Sequence, residues 1–334
     1  MRKIIPLSNS YALVAAVITA AAFLFLSGSV VASPLQWAGA WPKTDFARTS
    51  IDLTEILTGG VAKDGIPSID DPKFVGVARV SNLGEEEPVI SLQINGEAKA
   101  YPLQILIWHE IVNDTVGGVP VAVTYCPLCN SGIAFERTVA GRILDFGTTG
   151  NLRFSDLVMY DRQTESWWQQ FSGEAIIGEM MGTVLTPLPA RMESFARFKK
   201  RVPGGLVLVP SNRSKRPYGK NPYVAYDSAK KPFLFRGNLP KDIDPMVRVI
   251  VVDDQAWSLP FVRKMRRITL NDLEITWTEG QNSALDADMI NEGRDVGNVV
   301  ARRTVNGAWV DVVYHVTFAF VFHAFHPDKR IRTR

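Results

Sequence analysis

The sequence predicts an α+β protein, predominantly β, with many short strands, a few short helices and one large domain. Three observations carry this. Short runs rich in Val, Ile, Tyr and Phe recur from residue 74 to the C-terminal region, Gly, Asn, Asp and Pro punctuate them, and few segments place apolar residues at helical spacing. No tandem repeat, low-complexity block or shift of composition divides the chain. An apolar fraction of 46% is ample for ordinary burial to hold such a domain without covalent staples.

Residues 1–32 read as a secretory signal peptide. Met1-Arg2-Lys3 precede a run without charge that lasts until Lys43, residues 11–26 are rich in Ala, Val, Leu and Phe, and Val30-Val31-Ala32 is an A-x-A-like cleavage site. The apolar core is shorter than the about 20 residues that a full span needs. Cleavage after Ala32 is therefore expected over an uncleaved anchor, which would be the sole membrane attachment. No cysteine lies near the site to carry a lipid.

Residues 33–64 form a Trp- and Pro-containing lead-in, with a short helix at 51–57 capped by Ser50. Strands are expected at 74–80, 89–94 and 97–101, the last two joined by the hairpin dipeptide Asn95-Gly96. A helix at 103–112 starts at Pro102, where a missing N–H costs nothing, and carries Leu103, Leu106, Ile107 and Ile111 as an apolar stripe. After Gly117-Gly118, strands follow at 119–125, 133–139, 143–146, 157–160, 166–171 and 175–177. Trp167 and Trp168, adjacent in a strand, are expected to divide between core and surface. A surface helix is expected at 192–201 and a basic exposed loop at 211–222. Further strands are expected at 206–209, 247–253, 257–260, 267–270 and 274–277, and residues 312–325 read as one buried core element.

Composition excludes several function classes. The chain has 37 Lys and Arg against 34 Asp and Glu, and without Arg2 and Lys3 its net charge falls from +3 to +1. No basic field remains to attract nucleic acid. No phosphate loop, dinucleotide fingerprint or serine-nucleophile elbow is present. Two cysteines are too few for the disulfide framework of a small secreted scaffold.

Those two cysteines sit together in Cys126-Pro127-Leu128-Cys129. A redox dithiol needs a thiol at a helix N-terminus, whereas Asn130-Ser131-Gly132 and a β-type run follow here. A strand, a Cys-Pro-x-Cys turn and a return strand have the form of a metal knuckle, with two thiolates converging on one ion. Two thiolates are half a site, because a closed tetrahedral centre needs four ligands and an open one three. The chain has only four histidines to complete it: His109, His315, His323 and His326. A periplasmic dithiol–disulfide oxidoreductase and a plain structural pair remain the alternatives. Asp156, Asp161 and Arg162, with Glu110 and Asp114, read either as acid–base groups in a cleft or as a structural ion-pair network. Met159, Met180 and Met181 are soft donors that more often serve packing.

Several segments resemble the family known as domain of unknown function 3179. They include Trp108-His109-Glu110-Ile111-Val112-Asn113-Asp114, Val123-Thr124-Tyr125-Cys126-Pro127-Leu128-Cys129-Asn130-Ser131-Gly132 and Ser155-Asp156-Leu157-Val158-Met159-Tyr160-Asp161-Arg162. Thr164-Glu165-Ser166-Trp167, Tyr218-Gly219-Lys220-Asn221-Pro222-Tyr223 and Ala324-Phe325-His326-Pro327 follow in the same order. The resemblance implies one family-type domain over 65–328, with a basic tail at 329–334, in an exported periplasmic or extracellular protein. It implies no activity. Among the histidines its motifs pick out His109 and His326, so the expected site is one transition-metal ion, zinc or copper, on Cys126, Cys129, His109 and His326.

Overall fold

In the hairpin at Asn95-Gly96, both turn residues take positive φ, 48° and 85°, as a type I′ turn requires, and Ile94 stands opposite Glu97. Its strands, Pro88–Ile94 and Glu97–Pro102, are the middle of a five-stranded sheet. Ala190–Ser194 lies on one side, and Leu206–Val209 with Lys73–Gly76 on the other. The Leu206–Val209 strand runs parallel to Glu97–Pro102, and the other pairs are antiparallel. This computed structural model describes residues 34–334, which fall in one compact unit. The expected signal peptide and its cleavage site lie outside the described residues.

The second strand of the hairpin runs directly into the helix Leu103–His109, whose Leu103, Ile105, Leu106 and Ile107 are all buried. The helix ends three residues earlier than its apolar stripe suggests. Glu110 leaves the helical region, and Ile111–Val116 forms a strand instead. The β-branched Ile111 and Val112 find strand partners in Thr124 and Val123 across the Gly117-Gly118 turn. At Gly117 a side chain is impossible: a Cβ would lie 2.2 Å from the carbonyl oxygen of Ile94. Ile111–Val116, Val119–Cys126, Ser131–Glu136 and Pro187–Leu188 make a four-stranded antiparallel sheet. A third sheet orders Ile56–Thr58, Phe146–Arg153, Asp156–Asp161, Trp167–Gln169 and Ala175–Ile177. These three sheets share one core, to which Ile90, Leu106, Val123, Phe135, Phe146 and Trp168 belong.

The C-terminal part repeats the theme with different strands. Arg248–Val252 and Gln255–Ser258 pair with His315–Phe318 and Ile331–Arg332. Arg267–Leu270, Leu273–Thr278, Asn298–Val305 and Ala308–Asp311 form an antiparallel meander. Ile250, Trp257, Val262, Ile275, Trp277 and Tyr314 fill the space between them. Among the described residues, no helix is long and apolar enough to cross a membrane.

Strands dominate, as expected, but several elements differ in kind. The helix at 51–57 shrinks to a single 3₁₀ turn, Leu53–Glu55, capped by Asp52 rather than Ser50. Ile56 and Leu57 are drawn into the sheet against Arg153 and Leu152. The first half of the surface helix at 192–201 is strand, because Met192 and Glu193 pair with Ile90 and Val89, and helix begins only at Phe195. The buried element at 312–325 splits into the strand His315–Phe318 and the helix Ala319–Phe325. The basic tail is no free tail, since Ile331–Arg332 adds a parallel edge strand beside Gln255–Ser258. Trp167 and Trp168 are both fully buried. The lead-in covers the face that was expected to be exposed: the rings of Trp37 and Trp41 lie 4.9 and 5.0 Å from that of Trp167.

Two predictions follow from this packing. Trp41→Ala empties a site beneath the lead-in and lowers stability by about 3–5 kcal/mol in chemical denaturation; a loss below about 1 kcal/mol would show that the lead-in is not part of the core. The second concerns His315, whose Nδ1 is sealed from water without a partner and whose ring lies 5.7 Å from that of Phe171. Burial, reinforced by His326, pushes it down to about 4. A histidine depressed in the folded state binds a proton more readily when unfolded, so its contribution to stability is lost as pH falls from about 6.5 towards 4. His315→Gln should therefore flatten the pH dependence of the unfolding free energy in that window, and an unchanged slope would refute the assignment.

Candidate metal centre

The Val119–Cys126 strand ends on the first cysteine, and the turn is dictated by the residues after it. Pro127 opens a single 3₁₀ turn, Pro127–Cys129, and Asn130 reverses the chain in the left-handed region at φ 50°, ψ 35°. Asn tolerates that conformation, and its N–H closes the turn on the carbonyl of Pro127 at 3.1 Å. The return strand Ser131–Glu136 then places Ser131 opposite Cys126. This is the strand–turn–strand knuckle read from the sequence. Both thiols are free and almost wholly buried, at 2% and 0% exposure. Both S–H groups point to one carbonyl, that of Ser155, at 3.5 Å from Cys126 and 3.4 Å from Cys129.

Ser155 stands one residue before the strand Asp156–Asp161, and Asp156 is the third member of the site. Donor atoms of Cys126, Cys129 and Asp156 lie within 4.8 Å of one another, and all three residues are buried. Asp156 Oδ2 accepts hydrogen bonds from Gln169 Nε2 at 2.6 Å and from the Phe171 N–H at 2.8 Å. Its other oxygen, Oδ1, is buried without a partner. Tyr125 Oη, Asn130 Nδ2, Ser131 Oγ and Gln170 Oε1 are buried unpartnered atoms in the same region. Buried polar atoms are rarely left unpaired, and such a concentration makes this region the candidate functional site.

Electrostatics point the same way. Burial raises the thiol of Cys126 and lifts that of Cys129 well above its ordinary value. Burial also raises Asp156 to about 6. Glu110, at the end of the Leu103–His109 helix, is pushed up to about 8 by burial and by the charge of Asp156. Four acidic groups are thus buried in one low-dielectric space, where the charge of Asp156 adds to burial in raising Glu110 and both thiols. The backbone around them is unusual as well. Glu110 sits at φ 58°, ψ −34°, and Phe154 and Ser155 at φ 54° and 64°. Non-glycine residues are uncommon there and persist where the surrounding structure holds them. Glu110 is pinned on both sides: its N–H bonds to Leu106 O and its carbonyl to the Tyr125 N–H, each at 2.7 Å.

A long irregular stretch closes over the knuckle. Tyr226 Oη donates to the Leu128 carbonyl at 3.0 Å and accepts from the Phe233 N–H at 3.3 Å. From the other side, Thr317 Oγ1 donates to the Cys129 carbonyl at 2.8 Å.

The expected histidines are placed elsewhere. Both ring nitrogens of His109 are engaged, Nδ1 with the Pro67 carbonyl at 2.7 Å and Nε2 with Tyr218 Oη at 2.8 Å. His326 follows the helix Ala319–Phe325, with its ring 4.9 Å from that of Phe322 and 6.2 Å from that of Phe171. Neither histidine joins the donor cluster of Cys126 and Cys129, the place being taken by Asp156. The sequence holds a signal for this: Asp156 lies in the segment Ser155-Asp156-Leu157-Val158-Met159-Tyr160-Asp161-Arg162 and is one of the acid–base candidates. Its former companions serve structure. Asp161 binds Thr164 and the Trp168 indole, Arg162 binds Asp70, and Asp114 is held by Lys99 and Tyr101. Met159 and Met180 lie in the core.

A family model described as protein of unknown function (DUF3179) matches residues 63–329, and the chain belongs to that family. No curated protein and no solved structure matches the chain.

Proposed function

We propose that this member of the family is an exported protein that holds one transition-metal ion on Cys126 Sγ, Cys129 Sγ and Asp156 Oδ1. One observation carries the proposal: a carboxylate oxygen of the buried Asp156 lies within 4.8 Å of two buried thiols, and the Oδ1 of that carboxylate has no hydrogen-bond partner. Buried groups that would carry negative charge need a cation, and a coordinated ion deprotonates thiols that burial alone keeps protonated. Ligand bonds of about 2.0–2.3 Å put the donors of a tetrahedron roughly 3.5 Å apart, so small side-chain rotations close the set. Two thiolates with one carboxylate suit zinc. Copper(I) favours softer company than a carboxylate.

Three protein donors leave one position for an outside ligand, the arrangement typical of a catalytic rather than a structural zinc site. Glu110, raised to about 8, is the nearby group able to take or give a proton there at neutral pH. Export rests on the N-terminal segment alone, and in an oxidising compartment metal ligation would also keep the pair from closing into a disulfide. A dithiol oxidoreductase is disfavoured by the same geometry. Its attacking thiol must be exposed and depressed, whereas both of these are buried and raised.

The test is elemental analysis of protein purified without added metal, with a count of reactive thiols. The native protein is expected to carry close to one equivalent of metal and to react slowly with a thiol reagent until a chelator or denaturant is added. Asp156→Asn and Cys126→Ser should each cost at least about tenfold in metal affinity, while His109→Ala and His326→Ala retain the metal. Full retention in Asp156→Asn, or loss in His326→Ala, would overturn the ligand set. A metal-free native protein whose thiols cycle with a mild oxidant would overturn the metal centre itself.

A further inference from the structure

The knuckle's scaffold occurs twice in this chain. Pro88–Ile94 and Glu97–Pro102 form a hairpin over a two-residue turn, and so do Arg248–Val252 and Gln255–Ser258. Each second strand runs into a seven-residue helix, Leu103–His109 or Leu259–Met265. Each helix stops on a residue in the same uncommon conformation, Glu110 at φ 58°, ψ −34° and Arg266 at φ 60°, ψ −35°. Arg266 N–H bonds to Val262 O at 2.8 Å as Glu110 N–H bonds to Leu106 O. Its carbonyl accepts from the Trp277 N–H at 2.9 Å as that of Glu110 accepts from Tyr125. The strands that follow pair in the same register, Ile111 with Thr124 and Arg267 with Thr276.

This alignment sets Thr124-Tyr125-Cys126-Pro127-Leu128-Cys129-Asn130-Ser131 over Thr276-Trp277-Thr278-Glu279-Gly280-Gln281-Asn282-Ser283. Only four positions of the eight keep the identity or the aromatic character, which is why the sequence shows no repeat. What differs is the chemistry. The thiols become Thr278 and Gln281, and the acid Glu110 becomes the base Arg266.

The second copy opens a cleft of about 440 Å³. Arg248, Arg263, Arg294, Trp277, Met246 and Leu259 are among the residues that line it. Its carboxylates are already engaged. Asp227 takes Arg248 at 3.0 Å and Arg294 at 2.8 Å, Asp295 Oδ1 takes the N–H groups of Gly280, Gln281 and Gly297, and Asp244 takes that of Met246. Cationic capacity remains at Arg263, which is exposed. Arg248 is only 8% exposed, yet its Nε has no acceptor. The guanidinium of Arg263 lies 5.2 Å from the Trp277 ring centroid, and it makes no ion pair among the described residues. Met246 and Leu259 are buried apolar side chains beside these charges.

We propose that this cleft is a second site, separate from the cysteine centre, that binds a small carboxylate carrying an apolar or aromatic body. The carboxylate meets the exposed guanidinium of Arg263, with Arg248 in the wall of the cleft, and the body lies on Met246, Leu259 and Trp277. A planar guanidinium fork matches a carboxylate, and the volume lies within the range of small-molecule sites.

Benzoate, 4-phenylbutyrate and neutral benzamide, titrated into the purified protein by calorimetry with thermal melting in parallel, test this. Saturable binding of the two carboxylates is expected, with benzamide at least about tenfold weaker, because a hydrogen bond between two charged groups is lost. Arg263→Gln, a substitution at an exposed position that leaves the melting temperature of the free protein near wild type, should weaken benzoate by a similar factor. Equal binding of benzoate and benzamide, undiminished benzoate binding in Arg263→Gln, or no saturable binding of either carboxylate would overturn the proposal.

Discussion

The constraint on which the rest of this structure depends is the burial of three acidic side chains at one point. Cys126 and Cys129 close a hairpin of one sheet, Asp156 begins a strand of another, and among the described residues no ion pair neutralises them. Their hydrogen-bond partners are a shared carbonyl at Ser155, the Gln169 amide and the Phe171 N–H, all neutral groups. Charge in such a space is tolerated only with a counter-charge, so the site either stays protonated or takes a cation.

The surrounding fold makes sense as the means of holding that point. The hairpin at Asn95-Gly96 feeds the Leu103–His109 helix, and the helix ends where Glu110 must turn sharply to start the next strand. That strand's partner ends on Cys126. The turn at Phe154-Ser155 brings both the shared carbonyl and Asp156 to the sulfurs, while Trp167 and Trp168 fix the strand beside Asp156–Asp161 from both faces. Tyr226, hydrogen-bonded to Leu128, ties the irregular stretch to the knuckle. Each of these devices costs backbone strain or desolvation, and together they leave the polar atoms of one small region without partners.

Much of this was legible in the sequence where the cause is local. Asn95-Gly96, Gly117-Gly118 and Cys126-Pro127-Leu128-Cys129-Asn130 dictate their turns through the φ angles that those residues accept. Alternating β-branched runs announced most strands. Elements set by distant partners were misread. Ile111 and Val112 continue a helical stripe by spacing, and only pairing with Val123 and Thr124 makes them strand. Met192 reads as helix until Ile90 stands opposite, and Trp168's neighbour is buried only because Trp37 and Trp41 return from far away in the chain. The site followed the same rule. The cysteine pair is a local motif and was found. Asp156 reaches it through a β-turn of another sheet, so the scarcity of histidines drew attention to His109 and His326, whose rings are engaged with a tyrosine and phenylalanines. The duplicated scaffold was hidden because backbone geometry survived where side-chain chemistry did not.

The central claim is that two sulfurs and a carboxylate, without imidazole, hold one ion. X-ray absorption at the metal edge of the protein as isolated tests it most directly. The account predicts two sulfur neighbours at about 2.3 Å and oxygen neighbours at about 2.0–2.2 Å, with none of the multiple-scattering signature of a histidine ring. An imidazole signature at the bound metal, or a shell with no sulfur, would contradict it.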